Sequence, residues 1–336
     1  MEGTVVLTGA NGSLALGFVQ SFLETHPQMT LIATVRNPDP DEDPNTFRLL
    51  ALCANYPEAK VHLEMLDLGN LANVRSFADK LSHGISAAEL PRISAIVCNA
   101  ASLSFEGGQK FTSDGHEATF QVCHLAHYLL ILKLLGSMDR NSGRIVMLGS
   151  ITHYPEKLNP LCSLRPQFPV DLEELIKPGP DPPTLGHDRG FQRYATAKLA
   201  NVTLADDLNK RLQEDDRLSR ITVIAMDPGG LPSSRAQAQQ KRSTRRIFSI
   251  INFLMPVLKH VITMFRTAED AGRDLAVVSV DASFRGTRGY FVGQTEDVPA
   301  TVSTDPGVQE KLWNACWGWC GLTAEDTVLR NAAPRD

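Results

Sequence analysis

TVVLTGANGSLALG, residues 4–17, joins a β-branched run to a glycine turn and an apolar stretch with helical spacing. Strand, tight turn and helix in that order aim main-chain N–H groups and a helix dipole at a phosphate. Gly9 stands at the strand exit and Gly12 inside the turn, with Asn11, Ser13 and Leu14 beside them. Ser13 and Ala15 occupy places where such turns often carry glycine. A serine can still offer its hydroxyl to a phosphate, and alanine is the smallest replacement that keeps helix and strand close. Taken alone, the turn suits a nucleotide site and a plain strand-to-helix connection equally well.

The alternation continues outward from this stretch. TLIATVR (30–36), KVHLEML (60–66), ISAIVCN (93–99), GRIVMLGS (143–150) and RITVIAMD (220–227) are short apolar runs separated by helix-like segments. Such runs predict parallel strands buried on both faces, and right-handed crossovers make them a doubly wound sheet with its crevice at the strands' carboxyl ends. The fold expected is α/β: one Rossmann-type domain spanning residues 1–336.

Two segments depart from the alternation. Residues 155–183 hold eight prolines, so at most a short helix around 171–177 can form there, within an insertion expected over 155–190 beside the substrate pocket. Residues 232–265 run from a basic stretch, AQAQQKRSTRR, into the apolar IFSIINFLMPVLKHVITMF. The tail, 305–336, carries LWNACWGWCGL, which predicts a packed helix.

Composition narrows the function. The chain has 336 residues, 43% of them apolar, and a formal net charge of −5 with mixed signs. No global field advertises nucleic acid as a partner. Six cysteines at 53, 98, 123, 162, 316 and 320 are scattered, which fits buried free thiols in a reducing, cytoplasmic setting. Cys316 and Cys320 are spaced too widely for a C-x-x-C hook, so no metal is expected. The first strand begins too early to leave room for a signal peptide. Pro256, Lys259 and His260 interrupt the longest apolar stretch, which argues against a stable membrane span. Homo-oligomerisation is compatible with all of this.

At the end of the second strand, where a carboxylate usually receives the ribose 2′-hydroxyl of NAD, the chain has Arg36 and Asn37. An arginine there can pair with a 2′-phosphate, which favours NADPH over NADH. YATAKLAN (194–201) puts Tyr194 and Lys198 four apart on one helix face. An ammonium beside a phenol lowers the phenol's pKa and suits it to proton donation. Ser150 ends the buried run RIVMLGS, where its hydroxyl can hydrogen-bond a carbonyl oxygen gaining charge.

These motifs together resemble the short-chain dehydrogenase/reductase family, and within it the retinol-dehydrogenase-like and 3-ketosteroid-reductase-like branch common in fungal secondary metabolism. The resemblance covers most of the chain: TGANGSL, Asp67 in EMLDLGNLANVRSFA, NAA (99–101), FQVCHLAHYLL, GSITHY, YATAKLAN, DPGG (227–230) and RGYFVG (288–293). It implies that Asp67 and Leu68 contact an adenine and that Asn99 and Ala100 line the cofactor. It implies further that Pro228, Gly229, Leu231 and Ser233 wrap a nicotinamide carboxamide, while Lys198 holds ribose hydroxyls. Residues 232–265 would then close over a hydrophobic small-molecule substrate. A helix lying on a lipid surface is the other reading of that segment.

Two departures stand out. Cys123 replaces the asparagine that supports a proton-relay water in the family, and a thiol cannot replace a carboxamide. Ser150 and Tyr194 are 44 residues apart because the proline-rich insertion lies between them, where it is expected to wall the pocket. His153 and Tyr154 read as pocket lining, and His124 and His127 as structural. The activity expected is NADPH-dependent reduction of a ketone or aldehyde, or the reverse oxidation, with Tyr194 as proton donor. The rival reading is non-redox chemistry, an isomerase or cyclase, on the same fold, suggested by Cys123.

Overall fold

Eight strands form one sheet in the computed structural model, in the order β3-β2-β1-β4-β5-β6-β7-β8. The structure describes residues 2–334 apart from 106, 158, 160 and 259–264. Lys259 and His260 therefore lie outside the described residues. The N-terminal half runs β1 (Thr4–Leu7), α1 (Ser13–Thr25), β2 (Thr30–Val35), α2 (Pro44–Cys53), β3 (Lys60–Met65), α3 (Leu71–Ser86) and β4 (Ile93–Cys98). Next come α4 (Ala118–Phe120), a π-helical turn (Gln121–Leu125), α5 (Ala126–Leu134) and β5 (Arg144–Leu148). The remainder is α6 (Gly186–Gln213), β6 (Thr222–Asp227), α7 (Arg242–Leu258), α8 (Ala268–Val280), β7 (Gly289–Val292), β8 (Thr295–Asp297) and α9 (Pro306–Trp319).

The first seven strands in the chain are parallel and β8 is antiparallel. Strand order reverses between β1 and β4, the place where ligands bind at carboxyl ends in such sheets. β1 and β2 are buried along their whole length because helices cover both faces, whereas β3, at the edge, alternates between exposed and half-buried positions. On one face α3, α5, α6 and α9 enclose the larger core cluster, which includes Tyr128, Leu129, Leu199 and Trp313. On the other, α1 and α8 enclose Phe18, Phe22, Leu275 and Val278.

α1 and α8 meet backbone to backbone. A Cβ added at Gly272 would lie 2.4 Å from the Phe18 nitrogen, and one at Gly17 would lie 2.7 Å from the Ala268 oxygen. Glycines are required at both positions because no side chain fits between the two axes.

The run Ala118–Ser137 is long and apolar enough to cross a membrane, but it lies mostly buried in the larger core. The insertion is shorter than expected, since α6 already begins at Gly186. The Arg189 N–H donates to the Leu185 carbonyl at 2.8 Å, which opens the helix there. Its predicted helix around 171–177 is a single 3-10 turn, Leu172–Leu175. The sequence reading did not foresee β8, whose three residues are all exposed and offer no apolar pattern.

Candidate active site

The turn after β1 is built on two supports. Gly9 has φ +64°, and a Cβ there would lie 3.0 Å from Ala100, so the tight exit from the strand requires glycine. Asn99 Nδ2 donates to the carbonyls of Thr8 (2.9 Å) and Gly9 (3.1 Å), and the Thr8 hydroxyl accepts from the N–H groups of Asn99 and Ala100. Asn99 thus fixes the turn to β4. Asn11 Nδ2 donates to Asp43 Oδ2 at 2.8 Å and to the Thr46 hydroxyl at 3.1 Å, anchoring the turn's far side to the start of α2.

The N-terminus of α1 carries no side-chain cap, because its cap residue is Gly12. The caps of α2, α3, α8 and α9 are Asp43, Asn70, Thr267 and Asp305, and each accepts a main-chain N–H. Uncapped N–H groups and a positive helix end are what a diphosphate needs. Ala15 is fully buried, consistent with the close approach that alanine permits, and Leu14 is buried beside it. These residues fit a dinucleotide.

Along the carboxyl edge, Arg36 follows β2 and is exposed. Beyond β3, Asp67 Oδ1 accepts from the Gly69 N–H at 2.8 Å and Leu68 is buried. After β6, Asp227 Oδ1 accepts from the Gly229 N–H at 2.8 Å, which folds Pro228–Leu231 into a turn with Gly229 at φ +80°. Leu231 packs partly against the α1 side of the core, while Ser233 is exposed. Apart from Tyr194 and Lys198, which lie on α6, the residues implied for the cofactor therefore lie at the carboxyl edge of the sheet, on the turns that leave it or at the start of α1.

Ser150, Tyr194 and Lys198 converge between β5 and α6. The Ser150 hydroxyl lies within interacting range of the Tyr194 phenol, and Lys198 Nζ lies 5.6 Å from the Tyr194 ring centre. The ammonium donates to the Leu148 carbonyl at 2.8 Å, as does Asn201 Nδ2 at 3.1 Å.

Electrostatics here correct one expectation. Burial pushes the Tyr194 phenol above its usual range, and the Cys123 and Asp227 side chains add to the rise, while the Ser150 hydroxyl opposes it. Burial lowers the pKa of Lys198. The lysine does not depress the tyrosine as the spacing suggested, because its ammonium is turned toward a main-chain carbonyl and both groups are taken out of water.

Cys123 sits within the π-helical turn, fully buried, and its thiol donates to the Ser102 carbonyl at 3.4 Å. Burial raises its pKa, so it packs as a neutral thiol rather than a reactive one. π-turns recur at functional sites. Here the turn remains where the carboxamide is gone.

The insertion is stitched to the first turns of α6. Arg193 Nη1 pairs with Asp181 at 2.7 Å, Gln192 Nε2 donates to the Arg165 carbonyl at 2.7 Å, and the Thr196 hydroxyl accepts from the Gln167 N–H at 3.2 Å. Leu161, Cys162 and Leu164 form an apolar cluster with Leu103, Phe105 and Phe191 against Tyr194. A cavity of about 830 Å³ opens on the side of β6 and β7. Its lining mixes Ile151, Tyr154 and Phe265 with Asp227, Arg266, Asp274 and Asp297, whereas the cluster on the insertion side is wholly apolar apart from the Tyr194 hydroxyl and the Cys162 thiol.

Three histidines near the site are struts. His153 Nδ1 donates to the Ser150 carbonyl and its Nε2 accepts from the Ala300 N–H. His124 Nδ1 meets Asn201 Oδ1 at 2.9 Å, and His127 lies between the Cys123 carbonyl and the Thr8 hydroxyl. Burial lowers their pKa values to about 4 for His124 and His153 and about 3 for His127. An unfolded chain takes up these protons below about pH 6.5 while the folded one does not, so each ring removes about 1.4 kcal/mol of stability per pH unit down to its folded pKa. The midpoint of thermal unfolding should fall by several degrees between about pH 7.5 and 5.5, and less steeply in His127→Gln. A midpoint that stays level across this window would contradict the assignment.

Among the described residues no three His, Cys, Asp or Glu side chains gather as a metal site. All six cysteines are free.

The chain is 29% identical to the short-chain dehydrogenase iccH of Talaromyces variabilis, and the match covers 98% of each protein. It is thus similar over its whole length to a short-chain dehydrogenase. The relatives support an oxidoreductase, and protochlorophyllide reductase A of Arabidopsis thaliana is 25% identical over 86% of this chain and 68% of that one. A family model described as an AcuH dehydrogenase domain matches residues 236–329 of this chain. Its fold is shared with the NADPH-bound carbonyl reductase from chicken fatty liver (TM-score 0.58, 16% identity, 89% and 100% of the chains covered). It is shared equally with the angucycline C-6 ketoreductase LanV with bound NADP (TM-score 0.58, 15% identity, 87% and 95% covered).

Sequence reading missed three features of the site. The buried Asp227 carboxylate has a signal, since it precedes the Pro-Gly-Gly turn. The stitching of the insertion has none, because its partners are ordinary polar residues. Arg235 likewise sits among serines, alanines and glutamines that mark nothing.

Proposed function

We propose that this protein is an NADPH-dependent reductase of a ketone or aldehyde on a substrate with a hydrophobic body. The observation that carries the reading is the convergence of Ser150, Tyr194 and Lys198 at the carboxyl end of β5, in a sheet whose first strand leads into the uncapped N-terminus of α1. The cofactor, when bound, supplies hydride to the carbonyl carbon. The turn from Gly9 to Leu14 holds its diphosphate, with Arg36 at the 2′-phosphate and Asp67 and Leu68 at the adenine. Ser150 donates to the substrate oxygen and Tyr194 delivers a proton to it. A phenol whose pKa is raised remains protonated at neutral pH, the state in which it can donate to the substrate oxygen. Lys198 stays in place through the Leu148 carbonyl and reaches the ribose hydroxyls.

The apolar cluster of Leu103, Phe105, Leu161 and Phe191 next to Tyr194 supports a hydrophobic substrate, such as a polyketide, terpenoid or alkaloid intermediate. The names of LanV, an angucycline ketoreductase, and of the chicken carbonyl reductase support the reduction of a carbonyl group. The resemblance to the retinol-dehydrogenase-like and ketosteroid-reductase-like branch agrees with such substrates. The free, mostly buried thiols suit a cytoplasmic enzyme.

Titration with NADPH and NADH, followed by nicotinamide fluorescence, and then NADPH consumption against a panel of apolar ketones and aldehydes, tests the proposal. NADPH should bind more tightly, and Arg36→Ala should weaken NADPH about tenfold while leaving NADH nearly unchanged, as loss of a charge-assisted contact to the 2′-phosphate would. Failure to bind either nucleotide would remove the reductase reading.

A further inference from the structure

Arg235 opens a short 3-10 turn, Arg235–Gln239, in the segment between β6 and α7. Its Nη2 donates to the Asn11 carbonyl at 2.8 Å and its main-chain N–H donates to Ser13 Oγ at 3.3 Å. A segment more than two hundred residues further along the chain thus crosses directly over the turn at the start of α1. The crossing carries a permanent positive charge to the place where α1 presents uncapped N–H groups. Asp43 attracts the guanidinium and Arg48 repels it. Asp43 is already engaged by Asn11, Asn45 and Thr46.

We propose that Arg235 binds the pyrophosphate of the dinucleotide and thereby couples cofactor binding to closure of the segment that runs into α7. This rests on the nucleotide reading above. A guanidinium offers a planar fork of five donors, and a diphosphate oxygen is a stronger acceptor than the neutral Asn11 carbonyl. Exchange of one for the other keeps the side chain over the turn while adding a charge-assisted contact. Ser13 contributes by holding the Arg235 main chain, a role for which its hydroxyl is needed and a glycine would not serve. Arg36 stands at the end of β2, on the ribose side, so the two arginines have separable signatures: Arg36 senses the 2′-phosphate, whereas Arg235 senses the group common to NADPH and NADH.

The test pairs affinity with protease protection. NADPH and NADH are titrated into the wild type, Arg235→Ala, Arg235→Lys and Arg36→Ala. Trypsin cleavage at the exposed Lys241, Arg242, Arg245 and Arg246 is followed with and without nucleotide. Arg235→Ala should weaken both nucleotides alike, by about tenfold, with partial recovery in Arg235→Lys. Nucleotide should slow trypsin in the wild type and fail to do so in Arg235→Ala. Unchanged affinities and unchanged protection in Arg235→Ala overturn the inference while leaving the reductase reading intact. A loss confined to NADPH overturns the pyrophosphate assignment. A wild type that binds neither nucleotide overturns both.

Discussion

Tyr194→Phe is expected to lower kcat for carbonyl reduction by about 10²- to 10⁴-fold while NADPH affinity stays within about twofold, since on the proposed mechanism the hydroxyl removed is the proton donor and the ring remains. The ring is held by its own contacts with Phe105 and Phe191, so the variant should fold as the wild type does. A second signature separates this site from one with an acidic tyrosine. Because burial raises the phenol's pKa, the rate of reduction should not decline between neutrality and about pH 9, as it would if the phenol lost its proton near pH 7. A descending limb centred near neutrality would show that the phenol's pKa is depressed after all. Activity that survives the substitution and needs no nucleotide would instead favour an isomerase or cyclase on this fold.

Gly272→Val should be among the most damaging single changes outside the site. The added Cβ would fall 2.4 Å from the Phe18 nitrogen, 2.5 Å from the Gly17 carbon and 2.6 Å from the Leu14 oxygen. All three are main-chain atoms of α1, which cannot rotate aside as a side chain could. Overpacking usually costs about 1–3 kcal/mol, and a clash with rigid backbone belongs at or above the top of that range. The harm should not stop at stability. Pushing α1 away shifts the turn at its N-terminus, so nucleotide affinity should fall in the molecules that remain folded. Gly318→Ala in α9 is the matched control: nothing lies within 4 Å of its added Cβ, and alanine should stabilise the helix by up to about 1 kcal/mol. Thermal unfolding of the two variants, with NADPH titration of the first, checks both. If Gly272→Val unfolds at the wild-type temperature, α1 and α8 do not meet as described.

Much of this was legible in the sequence, for identifiable reasons. β1, β2, β4, β5 and β6 are continuous apolar runs because both faces of the sheet are covered, and such runs declare themselves. Ser150, Tyr194 and Lys198 were found because a strand end and a four-residue helical spacing are local properties. Gly9 and Gly12 were found for the same reason. What escaped depends on meetings between distant parts of the chain. The pKa of Tyr194 follows from burial that no spacing reveals. The π-turn at Gln121–Leu125 has no composition of its own. Arg235 reaches Asn11 only through the path of the segment after β6. The stitching of the insertion to α6 uses Arg165, Asp181 and Gln167, residues that would look the same on an unattached loop.

The backbone contact between α1 and α8 also bears on how the protein is made. Gly17 leaves the ribosome early and Gly272 late, and at 5–20 residues per second the interval is roughly 13–50 s. Through that time the glycine face of α1 has no partner, although β1, β2 and β4 are already available to pair. A nascent chain lacking its last quarter therefore carries a nucleotide turn whose helix is unsupported on one side, and only completion of synthesis lets the turn become rigid.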